Sequence, residues 1–287
     1  MDLLTKLIPL AAIVLHNCQC FNVDTKFPIV FKGAKNSYFG FSVQLHQTDR
    51  KAWALIAAPK ANSSSSAQHL HQPGVLNKCE ISNQVCYEII LDYSYNQRKI
   101  LGNLSYKEVK SDMMLGISLD VQPEDGSIVT CGHLWKNLEY SPFYSANGVC
   151  YVIDKYLNEN NDLSNVEKLL PIIAKEKQVL HSPNVNFYAY GLAGFSAMFT
   201  ENGKDLILGA PGIYEGKGSL IQYAVKNGAK LSPFPIIPDP NNTKERVHND
   251  SYVGYSLTSG RFFNTTEIYI ASGAPRAEND YGCVSNI

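Results

Sequence analysis

The cysteines carry the clearest chemical signal in this sequence, because four of them form two closely spaced pairs. Cys79 and Cys86 are near enough to bridge a hairpin, and Cys131 and Cys150 could close a longer loop. In an oxidising compartment such pairs are typical of disulfides. A zinc site would need clustered cysteine and histidine ligands, and neither pair has the Cys-x-x-Cys spacing. We therefore predict two disulfides, and Cys283 is left over.

The first residues predict export into such a compartment. Lys6 precedes an apolar run over residues 7–15, and Cys18 and Cys20 are small residues at suitable −3 and −1 positions. This order of basic, apolar and small residues is that of a signal peptide. We predict cleavage after residue 20, so that the mature chain begins at Phe21. No later stretch reaches the roughly 20 apolar residues that a transmembrane helix needs.

Asn-x-Ser/Thr sequons, which can accept a glycan in an exported protein, occur five times in the sequence. Each is a weak motif alone, because the tripeptide arises by chance, but export makes several of them candidates for glycosylation. A glycan requires a surface position, so these asparagines should lie on exposed loops. They are Asn62, Asn103, Asn241, Asn249 and Asn264.

Other chemistries find little support in the sequence. The formal charge of −1 gives no electrostatic reason to bind nucleic acid or an anionic membrane. The chain contains no Gly-x-Ser-x-Gly elbow, no His-Glu-x-x-His pair and no phosphate-binding loop, which are common signs of enzymes. Residues 212–218 are rich in glycine, but no helical pattern follows them. We therefore predict that the protein is not an enzyme and has no catalytic residues.

The elements that must position the cysteines and glycans repeat along the chain. An apolar residue, Gly, a second apolar residue and Ser recur four times, with the glycines at Gly40, Gly116, Gly194 and Gly254. Each copy is followed by an apolar run that ends in a small-residue turn, which reads Gly-Ala-Pro in the third and fourth copies. The glycines are roughly 60 to 80 residues apart, and a unit of that length holds about four strands.

This repeat predicts an all-β fold of successive propeller blades. The first copy, Phe-Gly-Phe-Ser-Val, alternates with the period of a strand. Residues 206–208 are continuously apolar, as in an inner strand covered on both faces, and the following Pro ends the ladder because it cannot donate. A generic β-sandwich is the alternative, but four copies of a two-part motif favour the propeller. Residues 164–177 have some helical spacing that Pro171 interrupts, so we predict a loop or a strand connection there.

The two halves of the repeat are those that name the FG-GAP repeat, and their arrangement resembles that of integrin α subunits. The resemblance covers essentially the whole mature chain. It is carried by the predicted mature start Phe21-Asn22-Val23-Asp24, by residues 37–43 and 58–62, and by residues 250–256, which resemble the start of the fourth blade. The two cysteine pairs also match the family's first- and second-blade disulfides.

The resemblance implies a partial seven-bladed β-propeller, with about the first four FG-GAP blades and the fourth of them incomplete. The expected ranges are about 21–95, 96–158, 180–235 and 245–287. The stretch from Cys150 to Gly194 is too short for the von Willebrand-type domain that can stand between the second and third blades. The expectation is therefore a subunit without that domain, of the invertebrate type.

In this family the upper face of the propeller pairs with a β subunit and helps to bind extracellular-matrix ligands. The positions that would face the ligand here are Asn186, Glu215, Asn249 and Asp250. In members that recognise Arg-Gly-Asp, acidic residues hold the ligand arginine. Neutral amides at Asn186 and Asn249 cannot supply that charge-assisted grip, and a glycan on Asn249 could cover the spot. We therefore expect a receptor that does not favour Arg-Gly-Asp ligands.

The calcium loops of the family belong to its later blades. The corresponding stretch here, residues 260–267, has too few carboxylates for a calcium cage. We predict no metal ion and no other cofactor in this chain.

The chain stops at Ile287, inside the fourth repeat, where an unclosed propeller would expose a flank. We expect a fragment, a truncated isoform or an incomplete gene model of a type I cell-surface receptor that passes through the secretory pathway, its membrane anchor being C-terminal to this segment. A chain that naturally ends here would be a secreted decoy or nonfunctional. A further alternative is the propeller of an FG-GAP enzyme such as a secreted phospholipase, but no catalytic domain fits before Phe21.

Overall fold

The structure, a computed structural model, describes residues 26–49, 51–64, 70–139, 145–159, 162–178, 186–226, 230–233, 235–238, 249–263, 266–277 and 282–286. The predicted signal peptide and mature start, and the sequons at Asn241 and Asn264, lie outside these residues. The chain divides into two units, Met1–Phe31 and Lys32–Ile287. The described residues of the first unit, 26–31, contain neither helix nor strand, so the described strands all belong to the second.

The second unit is all-β, as the repeat predicts, and its main part is a series of four antiparallel sheets in chain order. The first sheet contains β1 (Val43–Gln47), β2 (Ala52–Ala58), β3 (Val75–Glu80) and β4 (Cys86–Glu88). The second contains β7 (Ser118–Val121), β8 (Ile128–Gly132), β10 (Val149–Ile153) and β11 (Val166–Leu169). The third contains β12 (Ser196–Phe199), β13 (Asp205–Ala210) and β14 (Ser219–Ala224). The fourth contains β15 (Ser256–Gly260), β16 (Tyr269–Ala274) and β17 (Cys283–Asn286).

A fifth sheet combines a hairpin that lies between the first two sheets in sequence with a short strand that lies between β8 and β10. It is formed by the hairpin of β5 (Arg98–Leu101) and β6 (Leu104–Val109), together with the two-residue strand β9 (Lys136–Asn137). Among the described residues, helix is confined to a 3-10 turn at Leu163–Asn165 and four-residue segments at Lys175–Gln178 and Ile213–Gly216. No helix in the described part of the chain is long and apolar enough to cross a membrane.

Strand β13 shows how the sequence pattern produces this architecture. Leu206, Ile207 and Leu208 are all buried, because β13 is paired on both edges and covered on both faces. Leu206 and Leu208 pack into the core between the second and third sheets, whereas Ile207 packs into the core between the third and fourth. Pro211 follows the last residue of the strand, where its missing N–H leaves no ladder position unfilled. Successive sheets therefore stack face to face, and each inner sheet contributes to two cores.

The serines of the repeat make the same contact at every described junction between sheets. The hydroxyl of Ser42 donates to the carbonyl of Gly116 in the next repeat, at 2.8 Å. Ser118 donates in the same way to Gly194, and Ser196 donates to Gly254, each at 2.8 Å. One two-part motif thus produces three equivalent links, a regularity that fits an array of related blades.

The repeat glycines explain why these junctions are so close. All four have a positive φ, between 84° and 93°, where a residue with a Cβ is strained. A Cβ built on Gly116 would lie 2.5 Å from the Cβ of Ala57 on β2, and one on Gly194 would lie 2.5 Å from the Cβ of Cys131 on β8. Each glycine therefore rests on the second strand of the preceding sheet. A Cβ built on Gly40, in contrast, would meet no atom of the described residues within 4 Å.

The outer face of the first sheet exposes apolar side chains along β1 and the residues before it. Phe41, Val43 and Leu45 are 51%, 51% and 72% exposed, and their spacing of two places them on one face. The equivalent aromatic residue of the third repeat, Phe195, packs instead against Tyr255 of the fourth repeat, with ring centroids 4.7 Å apart. The first sheet thus has an uncovered face where the later junctions have a neighbour.

The second sheet extends beyond the range expected for its blade. Its fourth strand, β11, pairs with β10 from Cys150↔Leu169 to Ile153↔Val166, past the expected end at residue 158. The stretch 164–177, expected to be a loop or a strand connection, therefore contains a 3-10 turn, this strand and the start of a short helix. Two adjacent charged residues, Glu167 and Lys168, occupy the centre of β11, so no apolar alternation marks the strand in the sequence.

Candidate functional site

Three loops carry the residues predicted to face a ligand, and the structure brings these loops together. The backbone N–H of Tyr214 donates to the carbonyl of Phe187 at 2.7 Å, and that of Tyr252 donates to the carbonyl of Gly216 at 2.8 Å. The loop at residues 212–217 therefore joins the loop at 186–190 to the loop at 249–253. We call the surface formed by these three loops the loop face.

The four predicted positions have different surroundings on the loop face. Asn186 is half-buried, and its Oδ1 accepts from the backbone N–H of Tyr188 at 3.0 Å. Glu215, Asn249 and Asp250 are exposed. Asp250 lies over the turn beside Glu215, since a Cβ built on Gly216 would be 3.0 Å from its Oδ1. The amide of Asn186 thus shapes its own loop, and the exposed polar groups lie on the two later loops.

Aromatic rings form the centre of the loop face, and the sequence did not reveal them. Phe187 and Tyr214 stack with centroids 4.5 Å apart and an interplanar angle of 5°. Tyr188 meets Tyr214 edge to face at 5.5 Å, and the ammonium of Lys177 lies 4.5 Å from the centroid of Tyr188. Rings held this way present a rigid platform with little entropy to lose on binding. Residues near 214 looked like a plain glycine-rich turn, because the partner ring is distant in sequence.

The turn that carries Tyr214 has an unusual backbone. Tyr214 and Glu215 have φ values of 53° and 56°, in the left-handed region that side chains other than glycine seldom adopt. Two adjacent residues of this kind cost of order 1–3 kcal/mol each and tend to occur at functional sites. The stacked ring of Phe187 and the hydrogen bond from the backbone of Tyr214 hold this turn in place.

A second cluster of polar residues is buried between the first and second sheets, and no sequence motif marks it. It contains Asp92, Glu108 and three lysines, Lys99, Lys110 and Lys168. Glu108 is 0% exposed and Lys110 is 2% exposed. The ammonium of Lys168 lies 2.6 Å from Glu108 and 2.9 Å from Asp92, and that of Lys110 lies 2.6 Å from Asp92.

The electrostatics of this buried cluster follow from its burial and its composition. Burial opposes ionisation of Asp92, but Lys168 and Lys110 outweigh it and hold the pKa of that carboxyl far below its usual value. The same balance lowers the pKa of Glu108. Burial, aided by Lys168, lowers the pKa of Lys110 to about 8. The cluster ties the β5–β6 hairpin to β11, and its charges are satisfied internally, so we assign it a structural role.

Both predicted cysteine pairs are disulfides in the structure. Cys79 and Cys86 stand opposite each other on β3 and β4, and Cys131 and Cys150 do so on β8 and β10. Among the described cysteines, Cys283 is the one that forms no disulfide.

The remaining predicted sites concern glycans and metal ions. Asn62, Asn103 and Asn249 are exposed, as glycan acceptors must be, and their occupancy stays a prediction. Within the described residues, no three His, Cys, Asp or Glu side chains gather as metal ligands would. That finding does not cover all of the stretch 260–267, so the expectation of no metal also stays a prediction.

Comparison with known proteins finds integrin α subunits that match nearly the whole chain. No family model matches the chain. It is 32% identical to integrin α-4 of Xenopus laevis over 277 residues, 30% identical to integrin α-8 of Homo sapiens over 284, and 28% identical to integrin α-V of Gallus gallus over 305. These alignments cover 94%, 94% and 96% of this chain but 25%, 25% and 26% of the relatives. The chain thus spans about a quarter of the length of the curated relatives it matches, and the similarity supports an integrin α segment.

Proposed function

We propose that this chain is the N-terminal FG-GAP propeller segment of an integrin α subunit without an inserted domain, of the invertebrate type. In the complete receptor it pairs with a β subunit and contributes to binding an extracellular-matrix ligand at the cell surface. It acts through binding and has no enzymatic activity. The observation that carries the proposal is the set of three equivalent serine–glycine links between successive sheets, together with similarity to integrin α subunits along 94% of the chain.

The uncovered face of the first sheet supports a ring that further blades complete. Gly40 has the positive φ of the other repeat glycines, but a Cβ there meets no described atom within 4 Å, and Phe41 is half-exposed. In a closed seven-bladed ring the last blade would cover both residues. A Gly40→Ala substitution should then be much more harmful in the full-length subunit than in the present chain. Equal effects in both proteins would contradict ring closure at this face.

The loop face is the proposed contribution of this chain to ligand binding. Its stacked aromatic platform, Phe187 and Tyr214, is rigid, and Glu215 and Asp250 are exposed beside it. The amide of Asn186 is engaged by its own loop, and a glycan on Asn249 would shield the neighbouring surface. We therefore propose that this receptor does not favour Arg-Gly-Asp ligands.

Cell adhesion tests the proposal directly. The full-length subunit, obtained from the complete transcript, is co-expressed with candidate β subunits, and surface pairing and adhesion to matrix proteins are measured. Tyr214→Ala should reduce adhesion at an unchanged surface level, whereas Tyr156→Ala, which truncates an exposed tyrosine outside the loop face, should not. Failure to pair with any β subunit would refute the receptor function. Unchanged adhesion by Tyr214→Ala would refute the loop face alone, and strong arginine-dependent binding to Arg-Gly-Asp peptides would refute the proposed selectivity.

A further inference from the structure

An open cleft is lined by β2, β3 and β4 of the first sheet and by residues near Tyr93 and Glu159, and no residue of the loop face lines it. Its volume is about 830 Å³, within the range of sites that hold small ligands. Trp53, Tyr87 and Tyr93 line it, together with Lys51, Lys78 and Glu159. Tyr87 and Tyr93 are half-exposed, so their rings are available to a ligand.

Trp53 is covered by lysines, and its indole N–H lacks a partner within the described structure. The ammonium groups of Lys51 and Lys78 lie 5.3 and 5.7 Å from its ring centroid. Its indole N–H is buried and has no hydrogen-bond partner among the described residues, and neither has the Oδ1 of Asn158, the residue next to Glu159. Buried polar atoms are almost always paired, and of these two residues it is Trp53 that lines the cleft, so its unpaired indole N–H needs an explanation.

The composition of the cleft favours one ligand chemistry. The lining includes two lysines, Lys51 and Lys78, and two carboxylates, Glu88 and Glu159. Lys51 is already paired with Glu80 at 3.0 Å, so the cleft offers no concentration of either charge to hold an anion or a cation. A sugar ring offers C–H faces that pack on aromatic rings, and hydroxyls that both donate and accept hydrogen bonds. From this combination we propose that the cleft is a saccharide-binding site.

The chain itself carries a nearby candidate for this ligand. Ser64, which lines the cleft, belongs to the Asn62 sequon, and its backbone N–H donates to Glu88 Oε2 at 2.8 Å. Asn62 is exposed, and its Oδ1 accepts from the backbone N–H of Gln72 at 2.8 Å, which fixes the amide that would bear a glycan. Two residues span at most about 7 Å, so the first sugars of an Asn62 glycan could reach the cleft. The alternative source is a glycan of another molecule.

Titration with a defined saccharide tests the site and separates the two sources. The chain is expressed with its glycans, and N,N′-diacetylchitobiose is added while tryptophan fluorescence is followed, Trp53 being the indole at the cleft. If the Asn62 glycan fills the cleft, Asn62→Gln should bind the disaccharide at least about tenfold more tightly than the wild type. Asn103→Gln, which removes an exposed sequon elsewhere, should behave like the wild type. Equal binding by all three proteins assigns the site to a glycan from another molecule.

Variants of the lining tyrosines decide whether any observed binding belongs to the cleft. In the Asn62→Gln background, Tyr87→Ala and, separately, Tyr93→Ala should weaken binding by about tenfold, and Tyr156→Ala should leave it unchanged. Both lining tyrosines are half-exposed, and circular dichroism checks that each variant is folded. The proposal is overturned if no protein shows saturable binding, or if binding is indifferent to both lining tyrosines.

Discussion

Replacing Gly194 by alanine tests the packing between sheets, because a second glycine of the same repeat serves as its control. The added Cβ at Gly194 would lie 2.5 Å from the Cβ of Cys131 and 2.7 Å from the Sγ atoms of both Cys131 and Cys150. A disulfide between paired strands cannot move aside easily, so we expect an overpacking cost of about 1–3 kcal/mol. The positive φ of 84° adds about 1–2 kcal/mol.

Gly40→Ala should have the cost of the positive φ but not the cost of overpacking. Its φ is 91°, and a Cβ there meets nothing within 4 Å in the described structure. We therefore expect Gly40→Ala to cost about 1–2 kcal/mol and Gly194→Ala to cost about 2–5 kcal/mol.

Urea unfolding of both variants, followed by circular dichroism at equal disulfide content, measures these free energies. The expected difference of about 1–3 kcal/mol should also lower the Tm of Gly194→Ala by several degrees more than that of Gly40→Ala. Equal losses in the two variants would mean that backbone conformation alone explains the glycines, and the packing argument would be wrong.

Three further predictions use other parts of the second unit. Lys110→Met should lower the free energy of unfolding by about 3–5 kcal/mol, because it leaves the buried carboxylates short of a partner. Lys107→Met, at an exposed position, should change it by less than about 0.5 kcal/mol. Chemical denaturation compares the two variants, and similar losses would refute the buried network. Ser118→Ala should lower the free energy of unfolding by about 1 kcal/mol, because it removes the link to the next repeat. Ser256→Ala, at an exposed position, should change it very little in the same assay. The reverse order would contradict the repeated links. Burial lowers the pKa of His133 from 6.5 to about 4, so the unfolded chain takes up that proton first as the pH falls. Stability should therefore drop by up to about 3 kcal/mol between about pH 6.5 and 4, and His133→Gln should lack this part of the drop in denaturation curves at each pH.

The sheets could be predicted from the repeat, because each position of the repeat requires a particular backbone conformation or side-chain size. The repeat glycines must have a positive φ and no side chain, and Pro211 must follow a strand rather than lie within it. Strand β11 was not visible in the same way. Glu167 interacts with Leu231 and Lys230, and Lys168 reaches the buried charge cluster, so no hydrophobic alternation marks the strand.

The buried charges and the aromatic platform could not be predicted, for a related reason. Asp92 and Lys168 are separated by 76 residues, and in the sequence each looks like an ordinary solvated charge. Only the fold shows that they meet away from water. Phe187 and Tyr214 likewise stack across two loops, whereas Cys79 and Cys86 were predictable because their bond depends on a short hairpin.

The links between sheets have a direction, and that direction bears on how the isolated segment behaves in solution. Every described junction joins the serine of one repeat to the glycine of the following repeat. The contact is therefore heterologous, with unlike surfaces on its two sides. Heterologous contacts that do not close into a ring propagate into open polymers. The first sheet displays one such surface, marked by Phe41 and Leu45, and the fourth repeat carries Ser256 for the other. We therefore expect the isolated segment to associate head to tail as its concentration rises, which sedimentation velocity would detect.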